Sequence, residues 1–378
     1  MKIGFDAKRA LLNHSGLGNF SRTLIKSFYK YYPENNYYLF TPKLQEQYTG
    51  ELTNVNTEII TPTSFLEKRF HSYWRSYKIA STSKNLELDI YHGLSHELPV
   101  GIERTSAKTC VTIHDLIFER FPDHYPYIDR VSYRKKIQYA CNIADSIIAI
   151  SEQTKNDLID FYKIDKEKIQ VIYQGCDILF GQANDDKKTF LVKHKFNLPD
   201  EFILHVGSFN KRKNHLKLLE AYKLLNNNNN LKIVFVGNGG SEENAIRKFI
   251  HANDLIQQVL FIQKATNEEL SYIYKQACML VYNSLFEGFG IPILEAFASE
   301  IPVITSIGSC FNEVGADACI YVDPLDASEL AKQINHLIED HELRDIQIKK
   351  GQTRLTMFNN DSIAHQYMSI YQSLLTQK

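Results

Sequence analysis

"MLVYNSLFEGFGIPILEAF", residues 279–297, reads as three consecutive pieces. MLVYNS (279–284) is a short apolar run, the pattern of a buried strand. LFEGFG follows as a glycine-bearing loop. A helix then starts at Ile291–Pro292, because proline suits a first helical turn whose N–H groups lack partners in any case. Strand, loop and helix in that order form the repeating unit of a parallel α/β sheet. Glu287 falls in the loop and Glu295 on the first turn of the helix, so both carboxylates can face one ligand at different depths. The backbone N–H groups around Phe289, Gly290 and Ile291 point outward, and glycine permits close approach. Carboxylates accept well from the vicinal hydroxyls of a sugar or ribose. A plainer reading has Glu295 stabilise the helix N-terminus.

The same alternation runs outward in both directions. In the first half the strand candidates are KIGFD (2–6), YYLFT (37–41), DIYHG (89–93), TCVTIHD (109–115), SIIAIS (146–151) and QVIYQG (170–175). A polar interval without periodicity, GQANDDKKT (181–189), reads as a linker. The pattern then restarts with FILHVGS (202–208), KIVFVGNGG (232–240), VLFIQ (259–263), PVITS (302–306) and CIYVD (319–323). Two α/β domains in series follow: 1–180 and 181–355. Segment 356–378, with apolar residues at helical spacing in DSIAHQYMSIYQSLL, is a closing helix packing back towards the N-terminal domain. NNNNN (226–230) is a solvated turn.

Length agrees, since 378 residues exceed one ordinary core. A hydrophobic share of 44%, a charged share of 23% and a net charge of −1 describe a soluble globular protein and argue against nucleic-acid binding. Six scattered cysteines, with no C-x-x-C and no metal-ligand spacing, read as buried free thiols in a reducing cytosol. MKIGFDAK is a strand rather than a signal peptide, and no apolar run approaches the ~20 residues of a spanning helix.

Ligands of open parallel sheets bind outside the carboxyl ends of the strands. Three places qualify besides the opening loop. HSGLGNFSRTL (14–24) sets Gly16 and Gly18 before a helix, where free amides can meet a phosphate; a flexible loop is the plainer reading. His114 ends the strand VTIHD and is available to donate to a sugar oxygen, or else is a satisfied structural histidine. Gly207 ends HVG, and Arg212 and Lys213 stand directly before a helix. Cations there oppose the dipole's preference for anions, which makes sense if they hold a diphosphate.

The span E287-GFGIPIL-E295 followed by AFASEIPVITS resembles the signature of the retaining family 4 glycosyltransferases. VGSFNKRKN, IVFVGNGG and SELAKQINHLIED resemble the family in the expected order. So do FDAKRALLNHSGLGNFSRTL, IYHGLSHELP, VTIHDLIFERFP and IIAISEQTKNDLI, which look most like the subgroup with bacterial mannosyltransferases of polysaccharide and O-antigen biosynthesis. The resemblance covers nearly the whole chain. It implies a GT-B fold of two Rossmann-like domains facing across a cleft, with a nucleotide-sugar donor and no cofactor or metal. It implies that Glu295 holds the ribose and that Glu287 sits by the transferred sugar, whose hydroxyls meet the backbone of Phe289, Gly290 and Ile291. Arg212 and Lys213 would grip the diphosphate, with Gly207 beside them. Gly16 would approach from the other domain, His114 would contact the sugar, and the Ala265 backbone would lie near the base. Ser208, Gln263 and Asn312 depart from the usual arginine, glycine and proline.

No Asp-x-Asp occurs; the nearest pattern, Glu87-x-Asp89, begins a strand rather than ending one. Metal-independent transfer is therefore expected; the resemblance implies retention of configuration and GDP-mannose as the donor, with a UDP-sugar the alternative. A sugar-nucleotide epimerase of the same fold and a non-catalytic nucleotide-sugar-binding protein are the rivals. The acceptor, a glycan or lipid-diphosphate-linked oligosaccharide, belongs on the first domain. FLEKRFHSYWRSYK (65–78) interleaves Phe70, Tyr73 and Trp74 with Lys68, Arg69, Arg75 and Lys78. It reads as a site for an anionic membrane surface or a lipid diphosphate at the inner face of the cell membrane. The plainer reading is solvated helix faces with the aromatics in the core.

Overall fold

The computed structural model describes residues 1–13, 16–225 and 230–376. The first two residues of HSGLGNFSRTL and four of the five asparagines at 226–230 lie outside the described residues. The chain forms two compact units, Met1–Gly175 with Asn359–Lys378, and Cys176–Phe358.

The first unit is a seven-stranded sheet of β1 (Lys2–Asp6), β2 (Asn36–Phe40), β3 (Thr57–Ile60), β4 (Ile90–Gly93), β5 (Lys108–Ile113), β6 (Ser146–Ala149) and β7 (Ile169–Val171). Its order is β3-β2-β1-β4-β5-β6-β7, with every pairing parallel. β1, β4, β5 and β6 are almost wholly buried, as strands covered by helices on both faces must be. β3 has no counterpart among the sequence-derived strands. TEII is a half-exposed edge with little apolar contrast.

The helix Asn360–Thr376 belongs to this unit. Ile363, Tyr367, Met368, Tyr371 and Leu374 join one core with Phe5, Leu24 and Phe28. The Tyr371 hydroxyl bonds the buried His92 ring at 2.6 Å, and the other His92 nitrogen bonds Thr112 Oγ1 at 2.8 Å. Each such fully buried aromatic stabilises by roughly 2–3 kcal/mol.

The second unit is a six-stranded parallel sheet of β8 (Glu201–Val206), β9 (Leu231–Val236), β10 (Val259–Ile262), β11 (Met279–Tyr282), β12 (Val303–Ser306) and β13 (Ile320–Val322). Its order is β10-β9-β8-β11-β12-β13. The polar run 181–189 is not a free linker. Asp185 caps the helix Asp186–Phe196 by accepting from the N–H groups of Lys187 and Lys188. The chain enters this unit at Cys176 instead, because Phe180 packs edge-on against Tyr274. In each sheet the strand order reverses once, between β1 and β4 and between β8 and β11. Such reversals open crevices at strand carboxyl ends. Among the described residues, no helix is long and apolar enough to cross a membrane.

Candidate active site

The reversal in the second unit gathers the loop after β8 and the loop after β11. Gly207 leaves β8 with φ of 149°, and a Cβ there would lie 2.9 Å from Lys213 Cε. A glycine is therefore what lets the lysine cross this strand end. Arg212 and Lys213 do not begin the following helix. They form their own short turn, Lys211–Lys213, in which Asn210 Oδ1 accepts the Lys213 N–H at 3.1 Å. Asn214, at φ of 62°, separates that turn from the helix His215–Tyr222. The expected conflict between cations and helix dipole is thereby relieved.

Both cations turn towards Glu287, which is only 8% exposed. Arg212 Nη1 lies 2.5 Å and Lys213 Nζ 2.7 Å from the same oxygen, Oε1. Burial alone would raise this carboxyl, but the charges of Arg212 and Lys213 outweigh it and hold it at about 2. Burial lowers the Lys213 ammonium while Glu287 opposes that shift. Lys213 also donates to the Tyr282 hydroxyl at 2.8 Å and lies 4.6 Å from that ring's centre. Arg212 Nη1 donates to the Phe286 carbonyl at 2.6 Å, and the Leu285 N–H donates to the Arg212 carbonyl at 2.8 Å. The two loops are thus laced together by side chain and backbone.

A third loop, after β12, fixes Glu287 from behind. Ser309 Oγ accepts the Glu287 N–H at 3.1 Å and donates to the Glu287 carbonyl at 2.9 Å. The Cys310 thiol donates to the Phe289 carbonyl at 2.6 Å. Ahead of the helix Ile291–Ala298, Gly290 stands at φ of 122° and Pro292 occupies the first turn. The first amides of that helix have no intrahelical acceptor.

Glu295 is the fifth residue of the helix, not a first-turn residue, and the first turn carries no acid. Reading it as a charge that steadies the helix N-terminus therefore fails, since that effect fades within one turn. Its carboxyl is buried and accepts from the Tyr274 hydroxyl at 2.7 Å. Burial, reinforced by Asp177, raises it to about 7 against the opposing pull of Tyr274 and Lys213. Ala265 lies half-buried in the loop between β10 and the helix Asn267–Gln276.

In the first unit, Gly16 is the exposed first residue of the helix Gly16–Tyr31, so it opens that helix rather than preceding it. Gly18 lies inside the helix, where a Cβ would strike the Asn13 carbonyl oxygen at 1.9 Å. The expectation that His114 is free to donate to a sugar is corrected. Its ring is buried, Nε2 bonds the Leu94 carbonyl at 2.9 Å, and Nδ1 bonds the Gln174 amide at 3.0 Å. A carbonyl only accepts, so Nε2 carries the hydrogen and Nδ1 takes one from Gln174. Burial and the neighbouring His96 lower the ring to about 3, which keeps it neutral.

Tyr274, Tyr282, Ser309 and Cys310 were not foreseen in the sequence. Only Tyr282, at the end of a legible strand, carried a signal of position. Among the described residues, no group of His, Cys, Asp and Glu side chains is arranged to hold a metal ion.

Residues 186–354 match the family described as glycosyl transferases group 1, and residues 23–178 match glycosyltransferase family 4. The chain is 27% identical over 289 residues to the O-antigen chain mannosyltransferase B of Escherichia coli, covering 75% of this chain and 74% of that one. It is 28% identical over 269 residues to the O-antigen chain mannosyltransferase RfbU of Salmonella typhimurium, covering 71% and 69%. Among solved structures, HepE of Anabaena in complex with UDP and glucose has a TM-score of 0.77 at 20% identity, covering 99% of this chain and 100% of that one.

Proposed function

Because this chain belongs to the family 4 glycosyltransferases, with their GT-B fold, we propose that it moves a hexose from a nucleotide-sugar onto a glycan or lipid-diphosphate-linked acceptor. The donor is GDP-mannose, and the product belongs to a cell-surface polysaccharide made at the inner face of the membrane. One observation carries this reading: the half-buried Arg212 and the buried Lys213 share a single oxygen of the buried Glu287 carboxylate. Two positive groups gathered at a strand carboxyl end suit a diphosphate, which presents several oxygens and more than one negative charge.

In the proposed reaction the bond from the sugar's anomeric carbon to the diphosphate oxygen breaks. Arg212 and Lys213 take up the charge that develops on the leaving group, by electrostatics already in place, with no metal ion. The acceptor oxygen attacks the same face of the sugar, and its proton passes to the departing phosphate oxygen, so configuration is retained. Glu287 and the amides of Phe289, Gly290 and Ile291 orient the sugar. Glu295 accepts from the ribose hydroxyls, and the Ala265 backbone borders the base. Gly16 contributes from the first unit. His114 acts as a positioning residue, holding Leu94 and Gln174 in place.

The E. coli and Salmonella relatives, both mannosyltransferases by name, support the donor. Thermal-shift measurement over a panel of nucleotide-sugars tests it: GDP-mannose should raise the unfolding temperature most. Selective stabilisation by a UDP-sugar would replace the donor. Release of free nucleotide only when an acceptor glycan is present separates transfer from epimerisation, and no release with any donor would indicate a binding protein.

A further inference from the structure

The segment Phe65–Lys78 of the first unit is folded inside out. Of its large side chains, the indole of Trp74 and the guanidinium of Arg75 turn inward. Trp74 is buried, and Arg75 Nη2 lies 2.8 Å from both Asp6 Oδ2 and Glu97 Oε2. The apolar residues turn outward: Phe65 is 82% exposed, Leu66 67%, Phe70 58%, Tyr73 52% and Tyr77 55%. This reverses the plainer sequence reading, in which the aromatics went to the core. Of the other exposed apolar residues, Val55, Ile178 and Leu325 stand singly and Tyr127–Ile128 and Phe190–Leu191 form adjacent pairs, whereas Phe65–Lys78 gathers five.

The polar residues among the outward ones are sorted by charge. Glu67 spends its carboxylate on the N–H groups of Thr63 and Ser64 in a capping box that starts the helix Phe65–Arg69. Lys68, Arg69 and Lys78 are exposed, and no ion pair holds any of them among the described residues. Five large apolar groups beside three such cations on short helical turns suit a surface with an apolar depth beneath negative headgroups.

We infer that Phe65–Lys78 is the face by which this protein rests on an anionic lipid bilayer, with the apolar side chains entering the headgroup boundary and the three cations at the phosphate level. The inference rests on the proposed function only in placing the acceptor at a membrane; the contact itself requires no sugar chemistry.

Sedimentation with vesicles of phosphatidylglycerol and phosphatidylcholine, against vesicles of phosphatidylcholine alone, tests it without donor or acceptor. The protein should sediment with the mixed vesicles only, and less so as salt rises. The pair Lys68→Glu with Arg69→Glu should cut partitioning on the order of tenfold or more. Phe65→Ser with Leu66→Ser should do the same in low salt. Both variants should keep the wild-type circular-dichroism spectrum and unfolding temperature, which shows them folded. Wild-type protein left in the supernatant overturns the inference, as do variants that sediment like wild type. So does a dimer seen by light scattering without lipid that the serine variant dissociates, since the face would then join two copies of the chain. A protein that binds vesicles yet transfers no sugar leaves this inference standing and removes the proposed function.

Discussion

Beyond β8 and β11, Arg212 and Lys213 converge on one oxygen of Glu287, while beyond β5 the ring of His114 gives one nitrogen to Leu94 and the other to Gln174. Both places are buried strand ends of doubly wound parallel sheets. One gathers two cations on a single carboxylate oxygen; the other holds a neutral ring with both nitrogens matched. Burial makes charge costly, so the charged strand end carries a desolvation cost that the neutral one does not. Position at a strand end identifies where a ligand can come, and the charge gathered there identifies what kind of ligand would suit it.

The largest expected effect tests the charged side. Glu287→Gln keeps the volume and removes the charge that fixes both cations. Transfer should fall on the order of 10²–10³-fold, the usual loss for one preorganised electrostatic group, while nucleotide affinity measured by calorimetry persists or improves. Unchanged turnover would sink the role of Glu287 and with it the contrast between the two strand ends.

Glu295 sharpens the comparison through pH. Its carboxyl is raised to about 7 from an ordinary 4.5, so folding favours its protonated form. That contribution is complete below the ordinary value and is lost as pH rises through the folded one. Glu295→Gln, neutral throughout, should exceed wild type in stability by up to about 3 kcal/mol at roughly pH 8, with the gap closing near pH 4–5. Glu287, held at about 2, has the opposite sign: its contribution is present above 4.5 and is lost as pH falls through 2. Thermal unfolding across pH separates them. A flat difference between variant and wild type would mean that Glu295 is ionised in the fold.

The smallest effect on activity belongs to His114. Replacement by phenylalanine leaves the Leu94 carbonyl and the Gln174 amide without their partner, costing roughly 1–3 kcal/mol of stability. Turnover per folded molecule should barely change. Lost turnover at unchanged stability would make the histidine a sugar contact and erase the distinction drawn above.

Both sheets were legible because parallel strands buried on two faces are written as continuous apolar runs. The edge strand β3 was not, being half-exposed. Glu287, Arg212, Lys213 and Gly207 were legible as residues just past strand ends. Ser309 and Cys310 were not: β12 brings them behind Glu287 by sheet adjacency, which no local pattern encodes. Gln174 likewise reaches His114 from sixty residues away. The outward aromatics escaped for another reason. The segment breaks at Phe70 (φ −113°, ψ 66°) between two short helical pieces and then winds through a π turn at Trp74–Lys78, so no single 3.6-residue period, on which facing is judged, runs through it.

The two units cannot mature in the order in which they are made. Cys176–Phe358 is one uninterrupted stretch and can close its core as soon as it leaves the ribosome. The first unit, although synthesised earlier, lacks Ile363, Tyr367 and Tyr371 until the last helix emerges, and until then Phe5, Phe28 and His92 have no cover on that side. The usual N-terminal-first sequence of folding is inverted here. A chain halted shortly before its end would carry a finished second unit and an open, sticky first one.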